Sequence, residues 1–360
     1  MLKDKNSRKT FFKSFFITLI LVFITVGGGL WWLRRQVTIP DIPVYSELPF
    51  FNPNHVAEDA PHNETAFDVA DPHEDDALIQ PPFNFDEDGW ERKPYFRTLL
   101  IFGYDDGLNT DTIMVAAFDV QNREAYIVSI PRDTQIDVSR NIRRINSAYS
   151  VGMRFGDGHS DGVDQLKREL QTIIGFRPDY YVSIEEDAFV RIIDAVGGVN
   201  IHVPFHMIYD DPTQNLHINL PAGLQRLDGE RALHFVRFRL GNAPGTGITD
   251  FRRMEHQQQL IQAMMTELLT PRVIPQIPEL IRAYRDHVNT DMDMFDILFF
   301  AEQFLLGDIV LHTYNYPTTS VRTTRWYEIP NGEEALELIN RTINPFTRDL
   351  TMANLQLSDG

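Results

Sequence analysis

Short apolar runs separated by polar segments recur along the chain from about residue 95 onward. Residues 98–103, 112–120 and 124–130 are each rich in aliphatic and aromatic side chains, and each has the length of a strand. The polar pair Asn122-Arg123 separates the last two runs and indicates a tight turn. The pattern therefore predicts a strand followed by a β-hairpin.

Helical spacing of apolar positions alternates with further strand-like runs after residue 160. Residues 163–174 and 186–196 have the helical pattern, whereas 180–184 and 199–203 are short apolar runs. Alternation of this kind predicts an α/β fold, with a layered α-β-α domain around a central mixed sheet. In such folds the loops at the strand ends carry the functional site.

Two helices with a loop between them are predicted in the segment 227–269. Asp228 is a favourable N-cap for the first helix, and the segment 241–247, with its glycines and proline, ends it. Thr249 or Asp250 caps the second helix. Its mostly apolar stripe is expected to face a core and comprises Phe251, Met254, Gln258, Ile261, Met265 and Leu268.

The N-terminal residues have the composition of a membrane anchor. Residues 1–13 contain five lysines and arginines, and residues 14–33 contain no charged side chain. At ~1.5 Å per residue the uncharged segment can span a hydrocarbon core of roughly 30 Å, and the preceding positive charges favour a cytoplasmic N-terminus. We predict a single-pass helix in the cell membrane with the C-terminal domain extracellular; a cleaved signal peptide is the alternative.

An acidic segment with recurring prolines follows this anchor. Residues 36–91 contain fourteen Asp and Glu but no Lys or Arg, and they account for most of the net charge of −18. Such a composition is typical of an extended spacer. The predicted organisation is listed from the N-terminus: a cytoplasmic tail (1–13), a transmembrane helix (14–33), an extracellular linker (34–94), a folded domain (95–345) and a C-terminal tail (346–360).

The last part of the folded domain is expected to be mainly helical. Helices are predicted at 274–289 and 294–306, followed by a strand pair near 309–316. None of these segments contains a recognisable arrangement of reactive side chains.

Several functional classes are excluded by composition and motif content. The chain has no cysteine, so disulfides and thiolate chemistry are absent, and its acidity argues against nucleic acid as a partner. A Walker loop, a GxSxG motif and an HExxH motif are all missing, and the eleven histidines are scattered.

Carboxylates lie where two of the predicted strands meet their loops. Asp105 follows the first strand and Asp111 opens the second. Carboxylates at strand ends suit a hard cation such as Mg²⁺, although Asp and Gly also mark ordinary turns. Pro131 ends the third strand and places Arg132 in a loop at the same edge.

Four arginines lie close together in the segment around the predicted helix pair. Arg237 and Arg239 end the first helix, whereas Arg252 and Arg253 begin the second, where a helix dipole prefers anions. A bound phosphate between them would explain the placement. Surface salt bridges to Glu230, Asp250 and Glu255 explain it equally well. Gln257 shares a helix face with Arg253 because the two are four residues apart.

Seven motifs occur in a fixed order: LLIFGYDD, TDTIMV, SIPRDT, RINSAY, DAVGGVNIHVP, LPAGLQRLDGERALHFVRFR and RMEHQQQLI. In this order they resemble the LytR-CpsA-Psr family of the bacterial envelope. The resemblance runs from about residue 98 to 269. It implies a membrane-anchored phosphotransferase that moves a glycopolymer from a polyprenyl pyrophosphate carrier to a peptidoglycan hydroxyl, with a pyrophosphatase side activity as a further option.

The resemblance also assigns roles to particular side chains. It implies that Asp105 and Asp111 hold Mg²⁺ and that Arg132 binds the pyrophosphate. By the same match, the remaining pyrophosphate ligands would be Arg237, Arg239, Arg253 and Gln257. The apolar positions Leu260 and Met264 beyond them could line a lipid tunnel, although core packing is the favoured interpretation from the sequence.

The sequence departs from the family pattern at three positions where arginine is usual: Gly107, Asn109 and His256. His256 could supply a positive charge only below its ordinary pKa of about 6.5. The missing arginines slightly favour a second hypothesis, in which the chain is a non-catalytic envelope module that binds polyprenyl-linked intermediates or glycans and regulates wall assembly. The enzyme is favoured by the residues that are kept: Asp105, Asp111, Arg132, Arg237 and Arg253.

Overall fold

The computed structural model describes residues 89–104, 108–212, 216–239, 248, 250–268, 270–293, 295–297, 299–300, 309–323 and 325–357. The strands are β1 Phe96–Tyr104, β2 Thr110–Asp119, β3 Glu124–Ser129, β4 Tyr180–Glu185, β5 Val199–Val203, β6 Met207–Asp211, β7 Leu216–Leu220, β8 Gly223–Leu227, β9 Val288–Thr290, β10 Val310–Asn315, β11 Thr318–Arg322 and β12 Trp326–Pro330. The α-helices are α1 Ala148–Phe155, α2 His159–Ile174, α3 Glu186–Ala195, α4 Gly229–Arg237, α5 Asp250–Leu268, α6 Ile277–His287 and α7 Gly332–Thr342. Short 3₁₀ helices are Ile145–Ser147, Pro271–Gln276 and Met352–Asn354.

A six-stranded mixed sheet forms the centre of the fold, in the order β10-β3-β2-β1-β4-β9. β2 is antiparallel to both β1 and β3, as the predicted hairpin requires. β4 is parallel to β1, because the chain crosses over through α1 and α2. The predicted α/β class with a central mixed sheet is therefore confirmed.

One face of the sheet carries the main hydrophobic core. Leu100 and Phe102 of β1 and Val115 of β2 contact α2 and α7 through buried side chains such as Leu166 and Ile339. Successive side chains of a strand point to opposite faces. Ile101 and Met114, which are partners across β1 and β2, consequently lie on the other face.

A second apolar cluster is formed by α3, α4, α5 and the hairpin strands β5 to β8. Asp228 caps α4 as predicted, because its carboxylate accepts the Arg231 N–H. Buried side chains in this cluster include Ile193, Phe235 and Leu260. The two clusters explain the layering, since helices lie on both sides of the central sheet.

Helix α5 is attached to the sheet near one end and to the small hairpins near the other. The buried amide nitrogen of Gln258 lies 2.9 Å from Ser129 Oγ, 2.8 Å from Asn315 Oδ1 and 3.1 Å from the Tyr314 carbonyl oxygen. Near its C-terminus, Glu267 accepts from Asn200 at 2.7 Å and Arg226 at 3.1 Å. These polar contacts fix the rotation of α5 about its axis.

The C-terminal region differs from the sequence prediction. The predicted helix at 274–289 is a 3₁₀ turn and α6, because Pro275 and Pro278 interrupt regular helix hydrogen bonding. In place of a strand pair near 309–316, β10 alone joins the sheet beside β3. The antiparallel pair is β11 with β12, which the sequence prediction missed together with α7.

The residues before 95 and after 345 that the structure describes contribute to the same domain. Trp90 packs edge-on against Phe346 at 5.0 Å, and Arg92 pairs with the buried Asp179. Leu350 and Leu355 belong to the main core, although both lie in the segment predicted to be a tail. Two units can be distinguished in the chain, and the larger one carries every strand and helix named above. In the smaller unit, 295–297 and 299–300 are helical.

The predicted membrane helix at 14–33 lies outside the described residues. Among the helices that the structure does describe, none combines the length and the apolar composition needed to cross a bilayer.

Replacing Gln258 with methionine should destabilise the protein. The substitution keeps the side-chain length but leaves the buried Ser129 on β3 and half-buried acceptors on β10 without their donor, at a cost of roughly 1–3 kcal/mol. We expect the thermal unfolding midpoint to fall by several degrees. Gln262→Met is the matched control, since Gln262 is exposed one turn further along α5. Equal midpoints for the two variants would contradict this attachment of α5.

Candidate active site

A cavity of about 600 Å³ separates the second face of the sheet from helices α3, α4 and α5. Its sheet wall is apolar and consists of Ile101, Met114, Val182 and Ile184. Its helix wall contains Phe189, Ile192, Leu233, Val236, Leu260, Ile261 and Met264. The cavity could therefore accommodate an apolar chain between these two walls.

Charged side chains also line this cavity. They come from the ends of the strands, from helices α3, α4 and α5, and from the segment that follows α4. The charged residues are Asp111, Arg132, Glu185, Glu186, Arg237, Arg239 and Arg253, and Gln257 lies beside them. The structure thus brings together six of the seven residues that the sequence singled out. The seventh, Asp105, lies outside the described residues.

Asp111 and Arg132 are in direct contact at the edge of the sheet. The Arg132 guanidinium donates to the Asp111 carboxylate across the ends of β2 and β3. The loop carrying Arg132 is held by its own backbone, since the Asn146 N–H donates to the Arg132 carbonyl oxygen at 3.1 Å. The RINSAY segment therefore supports this loop.

The arginine at the end of α4 has a carboxylate partner that the sequence did not indicate. Arg237 Nη1 lies 2.7 Å from Glu186 Oε2 in the first turn of α3. This pair joins the two helices across the cavity, and it differs from the salt bridges to Glu230 and Glu255 considered from the sequence. Arg239 follows α4, is exposed and lines the same cavity.

Neighbouring arginines on α5 have different environments. Arg253 is only 7% exposed and lines the cavity. Arg252 points to solvent with a side chain 67% exposed, 3.8 Å from Glu255. One turn after Arg253, Gln257 donates to Thr112 Oγ1 at 2.9 Å. The predicted shared face of Arg253 and Gln257 is therefore the face that lines the cavity.

His256 does not provide a substitute positive charge near the cavity. Its ring stacks on Phe235 at 4.5 Å, and the side chain is 5% exposed. Burial, together with the nearby Arg252, lowers the pKa of His256 to about 4, against a weaker opposing bond to the Phe235 backbone. His256 is consequently neutral at physiological pH, and its place in the fold is part of the apolar packing between α4 and α5.

Leu260 and Met264 were expected from the sequence to be core residues. Leu260 is indeed buried in the second apolar cluster, but both side chains also line the cavity. The helical spacing predicts only that they share a face with Arg253 and Gln257. What that face meets depends on the tertiary structure.

The carboxylates at the sheet edge determine whether the predicted cation could bind there. Among the described residues there is no group of three or more His, Asp or Glu side chains that could hold a metal by themselves. Asp111 offers carboxylate oxygen, the ligand type that Mg²⁺ prefers, and Mg²⁺ usually completes its shell with water and substrate phosphate oxygens. Asp111, which is paired with Arg132, would fit a cation only as one ligand beside water and phosphate oxygens.

The cavity residues that the sequence analysis missed include Tyr104, Glu185 and Glu186. Glu185 ends β4, so the argument from strand ends that identified Asp111 applies to it equally. Tyr104 ends β1 and donates its hydroxyl to Glu185 Oε1 at 2.7 Å.

The fold and the cavity define a class of α/β protein in which an arginine-lined site adjoins an apolar chamber. The chain belongs to the LytR_cpsA_psr family, because the model of that family matches residues 63–344.

Curated relatives with similar sequences have two kinds of name. The regulatory protein MsrR of Staphylococcus aureus (strain COL) is 31% identical over 186 residues, which is 51% of each chain. TagV of Bacillus subtilis (strain 168), named a polyisoprenyl-teichoic acid–peptidoglycan teichoic acid transferase, is 28% identical over 56% of this chain and 51% of its own. This chain thus spans about half the length of these relatives.

Solved structures share the fold. A crystal structure of B. subtilis TagV has a TM-score of 0.55 at 23% identity, covering 69% of this chain and 97% of that one. A structure of TagT bound to LIIa-WTA has a TM-score of 0.56 at 17% identity, covering 71% and 92%. At these identities the comparison establishes the fold of the domain.

The buried His256 should make stability depend on pH. Its pKa is about 4 in the folded chain, below its ordinary value of about 6.5. Stability is therefore greatest above about pH 6.5 and is lost as the pH falls toward about 4, by up to about 3 kcal/mol from this residue.

Urea unfolding of the wild type and of His256→Phe, measured between about pH 4 and 7, checks this expectation. The phenylalanine variant should lose less stability on acidification than the wild type. His202→Phe changes an exposed histidine on β5 and serves as the control. A wild-type pH dependence retained in His256→Phe would refute the assignment.

Proposed function

We propose that the chain is a membrane-anchored phosphotransferase that moves a glycopolymer from a polyprenyl pyrophosphate carrier to a hydroxyl group of peptidoglycan. One observation carries the proposal: four arginines and Asp111 line the same cavity as a long apolar wall. A molecule with a diphosphate head and an isoprenoid tail matches both parts. The names of TagV and its homologue TagU from Oceanobacillus iheyensis agree with this substrate class.

The arginines would bind the diphosphate and neutralise its charge. Guanidinium groups bind phosphate oxygens through paired hydrogen bonds, and phosphoryl transfer depends mainly on positioning and charge stabilisation. Arg132 is held at the sheet edge by Asp111, and Arg237 is held by Glu186. Arg253, with Gln257 one turn later, would approach from α5. Arg239 completes the set.

The carboxylates would serve a cation and the acceptor. Asp111 and Asp105 are the candidate ligands of Mg²⁺, which when bound would draw charge from the phosphate oxygens. In the reaction the acceptor oxygen would form a bond to the phosphorus that bears the glycan. The bond from that phosphorus to the polyprenyl phosphate oxygen would break, and the hydroxyl proton would leave to a nearby base or to solvent.

The apolar wall would hold part of the isoprenoid tail. Burying apolar surface contributes roughly 25 cal/mol per Å², so a tail in this cavity would add affinity that the diphosphate alone lacks. The predicted anchor at 14–33 would keep the domain at the outer surface of the cell membrane, where such a lipid resides.

The proposal is tested with the full chain in detergent, a short-chain polyprenyl pyrophosphoryl sugar, peptidoglycan fragments and Mg²⁺. Release of polyprenyl phosphate and joining of sugar to the fragment are followed together. Arg253→Ala should lower turnover by roughly 10²-fold or more, because a buried cation at the transferring group is lost. Arg132→Ala should have a similar effect.

Arg252→Ala is the matched control, because it removes the adjacent but solvent-facing arginine of α5. It should retain wild-type turnover. Release without joining would indicate a pyrophosphate hydrolase. Tight lipid binding without any turnover would favour a non-catalytic regulator, a role consistent with the name of MsrR.

A further inference from the structure

Three carboxylates line the cavity among the described residues, and one of them differs from the others. Asp111 is paired with Arg132, and Glu186 is paired with Arg237. Glu185 forms no ion pair within the part of the chain that the structure describes. Its carboxylate instead accepts the Tyr104 hydroxyl at 2.7 Å. A negative charge therefore remains beside the cavity, close to an aromatic ring.

The strand register fixes the position of this pair relative to the arginines. Tyr104 on β1 lies opposite Thr110 on β2 and opposite Glu185 on β4. Glu185 and Thr110 are thus two strands apart, or roughly 10 Å. Asp111 and Arg132 stand at one side of this edge, and Glu185 stands at the other.

Tyr104 is held by its neighbours, and its hydroxyl donates to Glu185. Its ring lies 4.8 Å from the buried Tyr149, whose hydroxyl is 2.8 Å from His159 Nδ1. Burial, followed by the bond to Glu185, raises the pKa of Tyr104 far above its ordinary value. Its hydroxyl stays protonated and continues to donate to Glu185, which keeps that carboxylate in place.

Glu185 also occupies a position where its carboxylate could have served the helix that follows. It is the N-cap residue of α3, yet its side chain makes no capping hydrogen bond. Its carboxylate accepts the Tyr104 hydroxyl instead, on the sheet face that carries Phe102 and Tyr149, and Glu185 borders the cavity at the strand end. The carboxylate is therefore available to a ligand without weakening a helix cap.

We propose that Tyr104 and Glu185 form the subsite for the acceptor sugar, in which the Glu185 carboxylate accepts a hydrogen bond from a sugar hydroxyl and the Tyr104 ring contacts the sugar. The inference rests on the proposed function and adds where its second substrate binds.

Electrostatics favours an uncharged, hydroxyl-bearing ligand at this position. A diphosphate is repelled by the Glu185 carboxylate and attracted by the arginines that line the cavity. A sugar hydroxyl can donate to a carboxylate, and a bond of this kind with a charged acceptor is among the stronger hydrogen bonds in proteins. The two substrates would therefore be sorted to opposite sides of one edge.

The test measures the two substrates separately in the full chain. Glu185→Gln and Tyr104→Ala should raise the KM for a peptidoglycan fragment roughly tenfold to a hundredfold. The KM for the polyprenyl pyrophosphoryl sugar should stay within about twofold. Binding of the fragment alone, followed by saturation-transfer NMR, should weaken in the same variants. Tyr104→Phe keeps the ring and should have a smaller effect than Tyr104→Ala.

The chain contains a matched control pair. The Tyr126 hydroxyl donates to Glu124 on β3, outside the cavity, so Glu124→Gln and Tyr126→Phe remove the same chemistry elsewhere. Both controls should leave the two KM values unchanged.

The outcomes separate this inference from the proposed function. Normal turnover with unchanged acceptor KM in Glu185→Gln would overturn the subsite and leave the transferase intact. Equal loss of donor and acceptor binding would show a general structural role and would also overturn it. If the wild type binds the fragment through Glu185 but transfers nothing, the subsite stands and the transferase fails.

Discussion

The position of α5 against the sheet is the constraint on which the site depends. A buried amide, Gln258, donates to groups on β3 and β10, and this fixes which face of the helix meets the cavity. Its neighbour Gln257 then contacts Thr112, and Arg253 faces the cavity one turn earlier. A rotation of α5 by one residue would exchange Arg253 with Arg252 or Met254. The hydrogen bonds of Gln258, together with those of Glu267 near the other end, therefore determine which side chains of α5 line the cavity.

Two of the arginines around the cavity are held in position by carboxylate partners. The pairs Asp111–Arg132 and Glu186–Arg237 are partly exposed to solvent and contribute little to stability by themselves. Their effect is to hold the guanidinium groups of Arg132 and Arg237 in position at the cavity. Helix α5 adds a buried arginine, whereas the sheet adds apolar side chains. A cationic region and an apolar region therefore share one wall.

Sequence reasoning recovered the parts of the site that local rules determine. The pairing of Arg253 with Gln257 follows from helical spacing, and the meeting of Asp111 with Arg132 follows from adjacent strand ends. Contacts between distant segments were not recoverable. The partner of Arg237 is 51 residues away. The pKa of His256 is lowered mainly by its burial, and its ring stacks on Phe235 of α4. The Tyr104–Glu185 bond requires the parallel register of β1 with β4, which no local pattern specifies.

The central claim is that head and tail of one lipid diphosphate occupy this cavity together. It is tested most directly by the Kd values of isoprenyl diphosphates with one, two and three isoprene units, measured for the wild type and Met264→Trp. Each added unit should tighten wild-type binding, since burial contributes roughly 0.8 kcal/mol per methylene. Met264→Trp, which fills the apolar wall, should remove this gain and keep the dependence on Arg253. Affinity independent of tail length in the wild type would contradict the claim.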